Sequence, residues 1–205
     1  LLKTRTVAGV VRDAQANRIV VTDGKPDHYM LSVQDHQGTY IWKKWIKDMG
    51  YFWQVYLLPD QSVALGNQGS NQGHLVSRLT KYSAKGEQQW EHKVLDETWS
   101  YFPEGNQIVE LYELQKKLCL VDAQGKIISR LNGNMDSWIE QKSKQLYFVG
   151  DSQNTRIADI KQMKWLAELQ YRNSEFELNW LGNQQLAIYD MDNNILSVIR
   201  LKDRA

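Results

Sequence analysis

Apolar and polar positions along this chain alternate in short runs, and each run is cut by a polar or glycine-bearing turn. Residues 75–82 form the clearest run. Leu75, Ser77, Leu79 and Lys81 fall on one side and Val76, Arg78, Thr80 and Tyr82 on the other, which is the two-residue period of a strand. No stretch holds an apolar period of about 3.6 residues, and turn residues arrive too often for helices of ordinary length.

The same order of elements recurs. In residues 51–94 an aromatic strand (52–57) meets the turn Pro59-Asp60-Gln61, and a second strand (62–66) leads into a polar stretch, 67–73, expected to be a long loop. The third strand (75–82) follows. In the turn Ser83-Ala84-Lys85-Gly86 the glycine supplies a positive φ, and residues 87–94 make a fourth strand carrying Trp90. Residues 18–21, 29–34 and 39–46 repeat the last three strands, with a first strand expected around 7–11. Residues 99–102, 107–112, 118–121 and 126–131 form a third copy, and 138–141, 145–149, 155–160 and 164–169 a fourth. Residues 176–181, 185–189 and 195–201 begin a fifth. The turn glycines Gly38, Gly86 and Gly125 are 48 and 39 residues apart, and Met163 holds the matching place 38 residues later.

A stride near 40 residues with four strands per repeat predicts a β-propeller, whose blades bury their faces against one another. The expectation is one all-β domain, 1–205, of about five blades: 1–47, 48–95, 96–133, 134–172 and 173–205. The last blade is either incomplete or latched by the N-terminal segment. A β-sandwich of many short strands is the rival, but a sandwich needs no fixed period.

Two segments carry a family resemblance. Leu58-Pro59-Asp60-Gln61-Ser62-Val63-Ala64-Leu65-Gly66 and Leu79-Thr80-Lys81-Tyr82-Ser83-Ala84-Lys85-Gly86-Glu87-Gln88-Gln89-Trp90 resemble the PQQ-like (quinoprotein-like) propeller repeats of bacterial secreted proteins and lipoproteins. Asp35 to Gly38 and Asp122 to Gly125 match the turn, and Trp42 and Trp90 match the tryptophan of the fourth strand. The turn motif fails at Lys161-Gln162-Met163 and in the last repeat. The resemblance implies a propeller fold and a bacterial, extracytoplasmic (periplasmic or secreted) location. That family includes quinoprotein dehydrogenases, outer-membrane assembly scaffolds and sulfotransferase-like enzymes.

Composition narrows the function classes. Lys plus Arg is 25 and Asp plus Glu is 24, for a net charge of +1. No overall field attracts a polyanion, so nucleic acid is not an expected partner. The 42% hydrophobic content is that of a globular chain, and no apolar run is long enough to span a membrane. A single cysteine, Cys119, rules out an intrachain disulfide and a zinc site built on cysteines. It also leaves the chain without the vicinal cysteines seen in many alcohol-oxidising quinoproteins of the family it resembles, so no quinone or other cofactor is expected.

The candidate chemistry is a recognition surface with no catalytic residue assigned. Trp42, Trp90 and Trp165 are expected at one place on the fourth strands, wedged between blades. Trp99 and Trp138 begin innermost strands, where packing and ligand stacking are both open. The loops between second and third strands share one face of a propeller with the blade-joining loops. That face is expected to carry His28, His74, Asp151, Asp190 and Asp192 and to meet a protein or glycan partner, since recognition concentrates on variable loops of a rigid scaffold. His36 and His92 are expected to be solvated. Asp190-Met191-Asp192-Asn193-Asn194 has oxygens at alternate positions, as at the start of a calcium loop, but no glycine follows to make the sharp turn, and a hairpin turn is the simpler reading. No metal is assigned. The leading reading is a non-enzymatic binding or assembly scaffold. The alternative is a carbohydrate-binding or hydrolase/transferase propeller that uses the channel mouth.

Overall fold

The computed structural model describes residues 9–15, 17–25, 28–47, 51–71, 74–95, 99–112, 117–132, 138–141, 146–150, 155–159, 161–169, 176–182 and 185–200. These residues form strands joined by turns, with no helix among them. The first sheet has the order β1 (Val10–Gln15), β2 (Arg18–Lys25), β3 (His28–Asp35), β4 (Tyr40–Lys47). The second has β5 (Tyr51–Leu57), β6 (Val63–Asn71), β7 (His74–Tyr82), β8 (Gln88–Leu95). The third comprises β9 (Trp99–Glu104), β10 (Gln107–Tyr112), β11 (Lys117–Val121) and β12 (Ile127–Asn132), and the fourth β13 (Trp138–Gln141), β14 (Leu146–Gly150), β15 (Thr155–Asp159) and β16 (Lys164–Leu169). A three-stranded sheet follows: β17 (Phe176–Gly182), β18 (Gln185–Asp190), β19 (Ile195–Arg200). Within every sheet, spatial order follows chain order.

The chain divides into two compact units, Leu1–Ile108 with Asp122–Lys126, and Val109–Val121 with Ile127–Ala205. In the first unit, a core of Val20, Leu31, Val33, Trp42, Val55, Leu57, Val63, Leu65 and Tyr82 draws on β2 to β7 and so joins the first two sheets. Polar contacts pin the same junction. Asp13 Oδ2 accepts a hydrogen bond from the Leu57 amide at 2.7 Å, and Gln15 Nε2 donates to the Leu57 carbonyl. In the second unit the buried residues include Leu118, Cys119, Leu120, Val121, Ile157, Ala158, Leu186 and Ile188.

Two expectations about strands are corrected. The first strand, β1, is Val10–Gln15 and runs four residues past the end of the expected 7–11, of which residues 7 and 8 lie outside the described residues. Within the polar stretch 67–73, the described residues 67–71 are not a loop inserted between strands. Asn67 to Asn71 continue β6 and pair with β7 from Arg78 back to His74. Asn67 is buried. These amides and glycines read as a loop locally, but the facing β7 strand supplies their backbone partners.

The turns between third and fourth strands share one chemistry. Asp35 Oδ1 accepts from the amides of Gln37 and Thr39, Ser83 Oγ from those of Lys85 and Glu87, and Asp122 Oδ1 from those of Gln124 and Lys126. Each turn ends on a glycine in the left-handed region: Gly38, Gly86 and Gly125 at φ 93°, 84° and 84°. The fourth turn is one residue longer, with Asp159 Oδ1 capping Gln162 and Met163 taking φ 47°. A side chain in that region costs about 1 kcal/mol, so Met163→Gly is expected to raise the melting temperature slightly in a calorimetric scan.

The longer turn corrects one assignment. Trp42 and Trp90 lie four residues after their turn's positive-φ glycine and pair with Val33 and Lys81. The fourth sheet puts Ala167 in that place, opposite Ile157, whereas Trp165 pairs with Ala158. Trp165 therefore does not share the position of the other two tryptophans.

A half-buried ion pair braces the second sheet. Lys81 is 1% exposed, and its Nζ lies 3.2 Å from Asp60 Oδ2 and 3.4 Å from the Ala123 carbonyl. Partial burial disfavours the Asp60 charge, but hydrogen bonds from the Ser62 hydroxyl and amide and from Lys81, with the Lys81 charge, outweigh it and hold the carboxyl below its usual range. A depressed carboxyl stabilises the fold above its unfolded value, and that stability is lost as pH falls through the folded value. Asp60→Asn is therefore expected to flatten the loss of melting temperature below about pH 4. At neutral pH it should also destabilise, because it leaves Lys81 buried without its anion. The cost should fall below the about 3–5 kcal/mol of a fully buried pair, since Asp60 is one-third exposed.

Candidate interaction surfaces

The side-chain contacts that lock the first unit come from the fourth strands. Trp90 stacks on the turn Asp122–Gly125 and donates Nε1–H to the Ala123 carbonyl at 3.0 Å. His92 Nε2 lies 2.7 Å from the Gly125 carbonyl, so His92 is half-buried and bonded rather than solvated as expected. Trp42 lies on Gly86 in the same manner and packs beside Tyr82 with ring centroids 6.1 Å apart. A Cβ on Gly86 or Gly125 would sit 2.8 or 2.7 Å from the facing indole, so glycine serves here both for its φ and for its lack of a side chain.

His28 opens β3 opposite Lys25 and Lys47, exposed at the end of the β2–β3 hairpin. Its ring stacks on Trp45 of β4 at a centroid distance of 4.6 Å, tilted by 34°. His74 opens β7 opposite Asn71 and is also exposed. Both histidines belong to the first unit. In the second unit, Asp190 ends β18 and caps its own turn. Its Oδ1 accepts from the amides of Asp192 and Asn193, and its Oδ2 from Asn193 Nδ2. These bonds, led by that from the Asn193 side chain, hold its carboxyl below the usual range. Asn194 takes φ 55°, and its Oδ1 accepts from the Tyr189 hydroxyl. The segment is thus a capped hairpin turn, with Asp192 exposed on it. Asp151 lies outside the described residues. The backbones of Trp99 and Trp138 start β9 and β13, and their side chains lie outside the described part. Among the described residues no group of three His, Cys, Asp or Glu could hold a metal ion.

Reading the sequence missed the outward face of β4. Trp42 points inward as expected, but Tyr40, Ile41 and Trp45 are exposed. The signal was present in Tyr40-Ile41-Trp42-Lys43-Lys44-Trp45-Ile46-Lys47. A bulge opposite Val33 and Gln34 inserts Ile41, and a bulge changes which face the flanking residues occupy.

No protein-family model matches the chain, and no curated protein matches it in sequence. Solved structures do match. BamB from Moraxella catarrhalis is 10% identical over 94% of this chain and 63% of its own, with a TM-score of 0.52. A eukaryotic initiation factor is 10% identical over 92% of this chain and 51% of its own, with a TM-score of 0.56. Hsv2 from Kluyveromyces lactis is 14% identical over 98% of this chain and 74% of its own, with a TM-score of 0.52. The chain thus spans 63% of the length of that BamB. At such identities the likeness shows the fold: an all-β propeller, with four-stranded sheets and a three-stranded last sheet among the described residues. No helix among the described residues is long and apolar enough to cross a membrane.

Proposed function

We propose that this chain is a non-enzymatic binding scaffold, a propeller of the PQQ-like type that meets a protein partner outside the cytoplasm. The observation that carries this reading is the contrast between the two ends of the first and second sheets. The turns that end at Gly38, Gly86 and Gly125 are short and alike, and indole rings cover two of them, at Gly86 and Gly125. The ends joining second and third strands carry exposed and individual side chains, His28, His74 and Asp192. Rigid frames with varied ends are where recognition sits. Asp151 and Asp190 belong to the same proposed set, and Trp99 and Trp138 are its proposed apolar anchors. The location outside the cytoplasm rests on the resemblance of the Asp35, Ser83 and Asp122 turns to secreted propeller repeats.

Affinity capture with chemical cross-linking in the native host tests this reading. His74→Glu with Asp192→Lys is expected to lose the cross-linked partner, while Lys85→Glu with Lys126→Glu on the short turns retains it. Loss only in the second set overturns the assignment. A glycan array that binds the chain, with no protein cross-linked, would replace the protein partner by a carbohydrate.

A further inference from the structure

The outer edge of the first sheet is more apolar than that of the second. β4 is the last strand of its sheet, and an edge strand presents a row of backbone donors and acceptors. Beside that row, Tyr40 is 46% exposed, Ile41 39% and Trp45 55%. In the equivalent outer strand β8, the places one before and three after the inward tryptophan hold Gln89 and Lys93 where β4 holds Ile41 and Trp45. The cations of β4 also stand apart. Lys43 and Lys44 are exposed, and each Nζ lies 5.2 Å from an aromatic centroid, Tyr40 and Tyr82 respectively. No Asp or Glu occurs in residues 28–34 or 40–47. Neither lysine has an acidic partner among the described residues.

Charge on an edge strand is a common guard against pairing, but a guard needs no exposed Trp, Tyr and Ile beside it. The two features together select a partner. Apolar area beside the backbone groups of an edge strand attracts an extended segment, and lysines without an acidic partner among the described residues favour one that brings carboxylates. A second copy of this chain is disfavoured, because antiparallel pairing of β4 with itself sets lysine against lysine.

We infer that β4 takes up an extended acidic segment of a partner protein as a fifth strand of the first sheet. The segment's backbone pairs with the β4 edge, its carboxylates meet Lys43 and Lys44, and an apolar side chain covers the Trp45–His28 stack. This deepens the scaffold reading by naming the partner's chemistry, and it rests on that reading.

The test uses a capped, fluorescently labelled peptide of valine and threonine around two adjacent glutamates, titrated with the whole chain. Binding is expected to weaken with added salt and to fall by about tenfold or more in Lys43→Glu with Lys44→Glu. A peptide with lysines in place of the glutamates should bind that variant instead. A copy with alternate amides N-methylated should not bind, and bound peptide should slow hydrogen exchange of the β4 amides. Trp45→Ser, at an exposed position, should lower affinity while circular dichroism and melting stay unchanged. Absence of binding up to about 1 mM peptide, or binding indifferent to the lysine reversals or to N-methylation, overturns the inference. So does a sedimenting dimer abolished by Trp45→Ser, which would make a second copy the occupant. His74→Glu with Asp192→Lys should leave peptide binding intact, so failure here is read separately from failure of the scaffold reading.

Discussion

Gly66→Val is expected to destabilise the chain by about 3 kcal/mol or more in chemical denaturation, beyond the usual cost of overpacking. Even a Cβ at this position would overlap Tyr101 Cε1 and the Tyr101 hydroxyl. The ring has nowhere to go. Tyr101 is 3% exposed, its hydroxyl donates to the Gln54 carbonyl, and its ring meets Tyr56 edge-on at 5.7 Å. Gly66 thus exists for close approach within a strand. Tyr101→Phe removes the hydroxyl that donates to the Gln54 carbonyl, for about 1–2 kcal/mol. Gly66→Ala with Tyr101→Val should cost less than the sum of the two single changes, because the smaller side chain makes room for the new methyl. Burial also pushes the Tyr101 phenol well above its ordinary value. Tyr82 is raised by burial and then by Glu91, to about 12. Phenols raised in the folded state contribute stability that is full below the unfolded value and lost as pH rises through the folded one. Stability should therefore fall above about pH 10, and less so in Tyr82→Phe.

Trp90→Ala is the second large effect, expected at about 2–4 kcal/mol by the same assay. The ring covers the Gly125 turn, and its N–H holds the Ala123 carbonyl that Lys81 also reaches. Its loss uncovers the turn and weakens the contact with the buried lysine together. The N–H itself is separable. Trp42 makes the same stack on Gly86 with a buried, unpartnered Nε1, so Trp42→Phe should cost less than Trp90→Phe by about one hydrogen bond, near 1 kcal/mol. A Trp90→Ala variant that melts with the wild type would show that the stack contributes nothing to the junction.

What the sequence discloses here is what is local. An Asp or Ser followed three residues later by Gly specifies its own turn, because the cap and the positive φ lie within five residues, as at Asp35, Ser83 and Asp122. The repeat and its four strands follow from such turns and from alternation between them. Contacts across the chain are not legible in the same way. Nothing near Asn67 announces that His74 to Arg78 will pair with it, and nothing near Gly66 announces Tyr101. The shift of Trp165 comes from one added residue in the turn ending at Met163. The burial of His92 is not legible either, because its partner, the Gly125 carbonyl, is 33 residues away. Of the proposed site, the exposed ends at His28, His74 and Asp192 could be read from turn position. The exposed face of β4 could not, since the bulge at Ile41 decides which side chains face out.

The scaffold reading makes its most direct claim about where a partner touches, and hydrogen exchange on the chain with and without its cross-linked cellular partner measures that. Slowed exchange is expected at residues 22–25 with 28–31, at 68–71 with 74–77 and along β4, and unchanged exchange at the turns 36–39, 83–86 and 123–126. Slowing confined to those turns, or absent from the hairpin ends and β4 alike, would contradict it.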